Sequence, residues 1–380
     1  MKVKLSDAFD LQMGKTPPRN DRECWGDGHK WISISDIGNV GKYIDITKEE
    51  ITDIGVSKSG IKVVPKGTVI MSFKLSIGKT AITAEDMYTN EAIMAFINKG
   101  KYEIDTDYLY HMCKGIDWFE GTNKAVLGLT LNKATMSEKE IEIPSMAEQL
   151  NVVAVLDKMD ELIALRKEQL AKLDRLVKSR FIELFGDPVY NNNGLPTKKL
   201  RELGSLDRGR SQHRPRNDPK LLNGPYPLIQ TGEVASAGLY ITEYKNTYSE
   251  LGLQQSKMWK AGTLCITIAA NIAQTAILTF DACFPDSVVG FVPNDSVSAI
   301  YMHYWFGFFQ KILEEQAPQV AQKNINLKIL SDLDVMVPTK EQQEQFAAFV
   351  EQTDKSKLKI QQSLEKLELL KKSLMQEYFG

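Results

Sequence analysis

The feature that most constrains this chain is that it says much the same thing twice. Val64-Pro65-Lys66-Gly67-Thr68-Val69-Ile70 returns as Trp259-Lys260-Ala261-Gly262-Thr263-Leu264-Cys265, and Thr80-Ala81-Ile82 returns as Thr275-Ala276-Ile277 at the same offset of 195 residues. Pro18-Arg19-Asn20-Asp21 is echoed by Pro215-Arg216-Asn217-Asp218, and Phe185-Gly186 by Phe379-Gly380. Solenoid units run to roughly 20–50 residues, so a period this long marks a duplicated module, each copy large enough to fold. Two similar modules on one chain point to a protein that grips something at two similar places.

With 380 residues, each copy can bury its own core. Hydrophobic content of 43% and charged content of 25% are those of an ordinary globular protein. No apolar run approaches the ~18–20 residues that cross a bilayer. Met1-Lys2-Val3-Lys4-Leu5-Ser6-Asp7 carries no apolar signal core, so a cytoplasmic location is expected. Cys24, Cys113, Cys265 and Cys283 form no CxxC pair, which leaves buried or incidental thiols. The net charge of −2 argues against wholesale, non-specific nucleic-acid binding. One segment departs from that balance. Lys198, Lys199, Arg201, Arg208, Arg210, Arg214, Arg216 and Lys220 stand against only Glu202, Asp207 and Asp218.

Each repeat divides into a Gly-punctuated, strand-rich part and a long helix. Lys30-Trp31-Ile32-Ser33-Ile34-Ser35 alternates with period two, and Gly67–Ser72 and Thr263–Ile268 read as apolar strands. Pro144-Ser145 and Pro338-Thr339 fit helix starts. Val152, Leu156, Met159, Ile163, Leu170, Leu173 and Val177 then recur at steps of four and three, a heptad seam with one gap at Arg166. Phe346, Val350, Ile360, Leu364, Leu367 and Leu374 make a second seam, poorer where Thr353 and Lys357 interrupt it. Strong positions facing weak ones suggest two helices of roughly 35 residues, ~50 Å each, that cover one another as an antiparallel coiled coil. The expected organisation is a first domain over 1–143, a helix over 144–186 and a linker over 187–195. A second domain follows over 196–337 and a second helix over 338–380. The fold class is α+β, two similar globular domains separated by two long antiparallel helices.

Catalytic constellations are missing. There is no GxSxG, no HExxH, no metal spacing among His29, His111, His213 and His303, and no Asn/Asp-Pro-Pro-aromatic motif of a base methyltransferase. Ile77-Gly78-Lys79-Thr80 lacks the upstream glycine of a P-loop, leaving Lys79 free to touch a polyanion. The best functional signal is the loop Leu206 to Asp218. Its Arg208, Arg210, Gln212, His213, Arg214 and Arg216 are the residue types that bridge base-edge acceptors and donors or hold phosphates. The counterpart in the first copy offers Lys15 and Arg19, with Arg22 and Lys30 beside them. Asn132 and Lys133, Gln274, and Gln322 with Lys323 complete the candidate DNA-contacting set.

These phrases together resemble the specificity subunits of type I restriction-modification systems. The order module, long helix, module, long helix matches over essentially the whole chain. Gly14-Lys15-Thr16-Pro17 followed by Trp31-Ile32-Ser33-Ile34-Ser35-Asp36-Ile37 resembles the opening of the family's recognition domains. Ile143-Pro144-Ser145 with Glu148-Gln149, and Val337-Pro338-Thr339 with Gln342-Gln343, resemble the start of its spacer helices. The resemblance implies a non-catalytic subunit that reads a split double-stranded DNA target, one half-site per module. The helices would set the unread gap and dock two methyltransferase subunits, which bind S-adenosylmethionine; motor-nuclease subunits would join that core. This chain itself would carry no cofactor, no catalytic residue and no metal. Two readings of other classes remain beside it. A scaffold with two adaptor domains on a coiled-coil strut would bind proteins and no DNA. A degenerate nuclease or methyltransferase would bind a divalent metal or S-adenosylmethionine by itself.

Overall fold

The computed structural model describes residues 1–38, 41–74, 76–119, 131–269, 272–316 and 325–380. The chain forms two compact units. One comprises Met1–Lys167 with Gln362–Gly380, the other Glu168–Gln361. Each contains a mixed sheet domain and a stretch of both long helices.

In the first unit a five-stranded sheet runs in the order Phe9–Met13, Ile93–Asn98, Val69–Ser72, Thr80–Thr83, Tyr43–Ile44. All its pairs are antiparallel except the last. Beside it lies a three-stranded sheet of Glu49–Ile51, Trp25–Ile32 and Tyr88–Thr89. The second unit repeats the plan. Its five strands run Gly204–Arg208, Val288–Pro293, Leu264–Thr267, Thr275–Leu278, Tyr240–Ile241, again antiparallel until the final parallel pair. A second sheet is built on Leu222–Leu228. The repeated phrases therefore mark repeated backbone. Gly67 and Gly262 take the left-handed conformation at the same turn, with φ of 73° and 88°. Their N–H groups donate to Thr83 and Leu278.

Helices Thr106–Gly115 and Ala299–Gln316 pack on the two five-stranded sheets, as their apolar faces require. Tyr108, Tyr110, Met112 and Tyr301, Met302, Trp305 are core residues rather than exposed stacking platforms. One local expectation fails. The alternation through Ser33-Ile34-Ser35 is not strand, because Ser33 and Asp36 form a capping box that starts a short helix at Ile34.

The long helices span Met146–Phe185 and Lys340–Phe379, 40 residues each rather than about 35. Ser145 caps the first, its Oγ accepting from the Glu148 N–H while the Glu148 carboxylate accepts from the Ser145 N–H. Thr339 and Gln342 do the same for the second. Gly186, at φ 81°, closes the first helix by donating to Ile182.

Within each unit the helices run antiparallel. In the first, Asp160 meets Lys371 and Lys167 meets Glu368; in the second, Asp174 meets Lys357 and Phe181 packs on Phe346. Val152, Leu156, Met159, Val177, Phe346, Val350 and Leu364 are buried, and Ile163, Leu170, Leu173, Ile360, Leu367 and Leu374 are partly buried. The polar interruptions do not break the register. Thr353 is buried with its hydroxyl donating to the Phe349 carbonyl, and Lys357 lies over the seam to reach Asp174 at 2.6 Å. Phe181 and Phe185, beyond the heptad positions read from sequence, are fully buried in the second unit's core.

Two glutamines lock domain to helix. Gln149, fully buried, donates from Nε2 to the carbonyls of Glu103 (3.0 Å) and Pro144 (3.1 Å), and its Oε1 accepts from the Asp105 N–H (2.9 Å). Gln343 repeats this on Ser296, Pro338 and Ser298 at 2.9, 3.1 and 2.8 Å.

Candidate nucleic-acid interface

The repeated Pro-Arg-Asn-Asp phrase has a structural role in both modules. The Asp21 and Asp218 N–H groups donate back to the Pro18 and Pro215 carbonyls, and each aspartate caps the short 3-10 turn that follows. Its arginines are both held by carboxylates. Arg19 meets Glu49 at 2.5 Å and lies over Trp25 and Trp31, 3.9 and 4.8 Å from their ring centres. Arg216 makes a two-toothed contact with Asp286 at 2.7 and 3.0 Å.

In the first module the three-stranded sheet and the segment before it gather Lys15, Arg19, Arg22 and Lys30. Lys15 donates to the carbonyls of Ser59 and Gly60, both at 3.1 Å. Lys30 is taken up by Glu85 and the Asp45 carbonyl. Arg22 is exposed, and its side chain has no partner among the described residues. Lys79 lies apart, beside Gly38 on a cavity of about 770 Å³ that Lys42, Tyr110, Lys114, Asp157 and Asp160 also line. Asn132 caps the helix Lys133–Glu138, which packs on the Leu5–Ala8 turn, so neither Asn132 nor Lys133 joins the group.

The second module gathers Arg208, Arg210, Gln212, His213, Arg214 and Arg216 on one loop. His213 pairs with Asp218 at 3.1 Å, and Arg214 curls back to the carbonyls of Ser211 and His213. Arg208 is half-buried with its Nε unpartnered. Arg210 and Gln212 are exposed, and their side chains are unpaired among the described residues. Gln274 lies on a different hairpin turn, its N–H donating to Thr267 Oγ1. Gln322 and Lys323 lie outside the described residues.

The basic excess of residues 198–220 is partly cancelled by acids distant in sequence. Arg201 meets Asp332, Lys199 meets Asp334, and Arg214 and Arg216 meet Asp286. Sequence reading also missed the groups that hold the loop. Gln255 Oε1 accepts from the N–H groups of Gln212 (2.7 Å) and His213 (3.1 Å), and Ser256 Oγ donates to the Arg210 carbonyl (3.0 Å). Lys257 lies 3.9 Å from the Trp259 ring centre and bonds Asp207, holding that carboxyl below the usual aspartate range. The Asp218 carboxyl is likewise held low, first by the Lys220 N–H and then by His213. Gln255, Ser256 and Lys257 lie 42–50 residues along the chain from the groups they hold and share no motif with them.

Among the described residues the geometry offers hydrogen-bond donors and cations on loops, and no assembled reaction centre. Among the described residues no group of His, Cys, Asp and Glu could hold a metal ion, and no helix is long and apolar enough to cross a membrane. All four cysteines are buried and free.

The family model for the type I restriction modification DNA specificity domain matches residues 1–175 and 192–369. The type I restriction enzyme MjaIX specificity subunit of Methanocaldococcus jannaschii is 28% identical over 275 residues, covering 67% of this chain and 62% of that protein. The HindI specificity subunit of Haemophilus influenzae is 28% identical over 145 residues, 37% of this chain and 31% of the relative. The chain thus spans less than two thirds of these relatives' length. A chain from a solved type I R-M system is similar in fold over 100% of this chain and 97% of its own, with a TM-score of 0.67 at 17% identity. With both copies of the module inside the matched regions, the chain belongs to the type I restriction-modification DNA specificity domain family.

Proposed function

We propose that this chain is the specificity subunit of a type I restriction-modification complex and reads a bipartite double-stranded DNA target, one half-site per module. The observation that carries the reading is the repetition of one sheet topology in two units, with a clustered basic loop beside the second copy's sheets. Arg210 and Gln212 are the leading base readers, since they are exposed and their side chains are uncommitted. Arg22 is the matching group of the first module, with Lys15, which is exposed and keeps one ammonium donor beyond the two that hold the Ser59 and Gly60 carbonyls. Arg19, Arg214 and Arg216 shape their loops and reach phosphates. Lys30, Lys79, Arg208 and His213 support that contact, and the remaining candidates are peripheral to it.

The chain supplies recognition, and chemistry belongs to its partners. Two methyltransferase subunits would bind S-adenosylmethionine and modify the target base, and motor-nuclease subunits would join that core. Such a complex works on chromosomal DNA, in the cytoplasm of its host. The test is single-molecule sequencing of adenine methylation in DNA from cells expressing this chain with its cognate methyltransferase subunit. A split motif with a fixed gap is expected. No split motif, with both subunits expressed and associated, would turn the reading to the protein scaffold.

A further inference from the structure

The recognition loop of the second module is stapled to a neighbouring loop, residues 284–288. The Gly209 N–H donates to the Val288 carbonyl (2.9 Å) and the Arg210 N–H to the Phe284 carbonyl (3.1 Å). A Cβ on Gly209 would fall 2.2 Å from the Phe284 oxygen and 2.4 Å from the Pro285 oxygen, so only glycine permits this approach. The docking carries Asp286 to the arginines. Its carboxylate accepts twice from Arg216 and stands 3.9 Å from Arg214. Among the described residues it is the one carboxylate at ion-pair distance from either of them.

We infer that Asp286 is a specificity-determining positioning residue of the second module, withholding Arg214 and Arg216 from indiscriminate phosphate contact. The inference rests on the DNA-reading function proposed above. Non-specific affinity comes from cations that displace counterions along the phosphate backbone. Two guanidinium groups that share one carboxylate present one net positive charge between them instead of two, and contribute less to it. A carboxylate at the loop also repels phosphates that approach without the compensating base contacts of the right sequence. All three side chains are exposed, and an exposed ion pair is weak enough to be exchanged for DNA acceptors when the loop is seated on its target.

The test uses the full chain assembled with its methyltransferase partner, a random-sequence duplex, and binding measured as salt is raised. Wild type is compared with Asp286→Asn, which keeps the shape and removes the charge, and with Asp286→Glu, which restores it. Each released cation steepens the salt dependence by a log–log slope of about 0.9. Asp286→Asn should therefore bind the random duplex more tightly at low salt. It should lose about 3-fold more affinity than wild type between about 50 and 200 mM salt, for the single unit of charge that the substitution unmasks. Asp286→Glu should behave as wild type. An unchanged slope in Asp286→Asn, or a Glu variant that behaves like Asn, overturns the inference while leaving DNA reading intact. A wild-type complex that binds no duplex at any salt overturns the proposed function, and this inference with it.

Discussion

Replacing Gln149 by leucine should destabilise the first unit and leave the second unchanged. The amide at this position is fully buried and makes three hydrogen bonds to backbone, one accepted from Asp105 and two donated to Glu103 and Pro144. Leucine keeps the volume and removes all three. A buried donor left unpaired costs about 1–3 kcal/mol, and carbonyls with a second lone pair cost less. Leucine's extra apolar burial returns about 1 kcal/mol, so the net loss is about 2–4 kcal/mol. For a unit of this size that corresponds to a fall in melting temperature of roughly 5–15 °C. Gln149→Glu should be worse, because a carboxylate cannot donate to either carbonyl and its charge would be buried. The assay is urea or thermal unfolding followed by hydrogen exchange, which reports each unit separately. Gln343→Leu should give the same loss in the second unit only, since Gln343 repeats the contacts on Ser296, Ser298 and Pro338. A change below about 0.5 kcal/mol in both variants would refute the argument that these amides lock domain to helix.

Three further outcomes are expected. Gly252→Ala should cost about 1–3 kcal/mol, because the new Cβ would fall 2.3 Å from the Leu221 oxygen; Gly232→Ala, with open space around it, should not destabilise by the same urea measurement. Burial pushes His303 down to about 4, from ~6.5 in an unfolded chain, so protonation favours unfolding. Its contribution is full above pH ~6.5 and is lost as pH falls toward 4, at most roughly 3 kcal/mol in the second unit. The urea midpoint at pH 7 and 4.5 checks this, and His303→Gln should flatten the difference. Arg210→Ala should cost about 1–3 kcal/mol on the cognate duplex and relax one base position, read by competition with single-substitution duplexes; a uniform loss across all sequences would instead mark Arg210 as a phosphate anchor.

Much of the architecture is legible because local chemistry and global fold agree. Pro144-Ser145 with Glu148 announces a helix start in any context, and Gly186 announces its end. The seams at 152–177 and 346–374 read through Thr353 and Lys357 because spacing, not composition at each position, sets which face is covered. The buried face runs on past the heptads read from sequence, to Phe181 and Phe185. Ser33-Ile34-Ser35 misled because a capping box outweighed alternation. The candidate site was legible only in part. The basic loop declares itself, but its electrostatics depend on Asp286, Asp332 and Asp334, which the fold brings from far along the chain. The repeated Pro-Arg-Asn-Asp phrase forms the same capped turn in both copies, a backbone role that the residue types alone did not announce.

The central claim is that each module reads its own half of a divided target. The most direct measurement exchanges residues 196–337 for the corresponding module of another family member and maps adenine methylation with the same partner subunit. The account predicts one half-site replaced, the other half-site retained. A motif changed in both halves, or in neither, would contradict it.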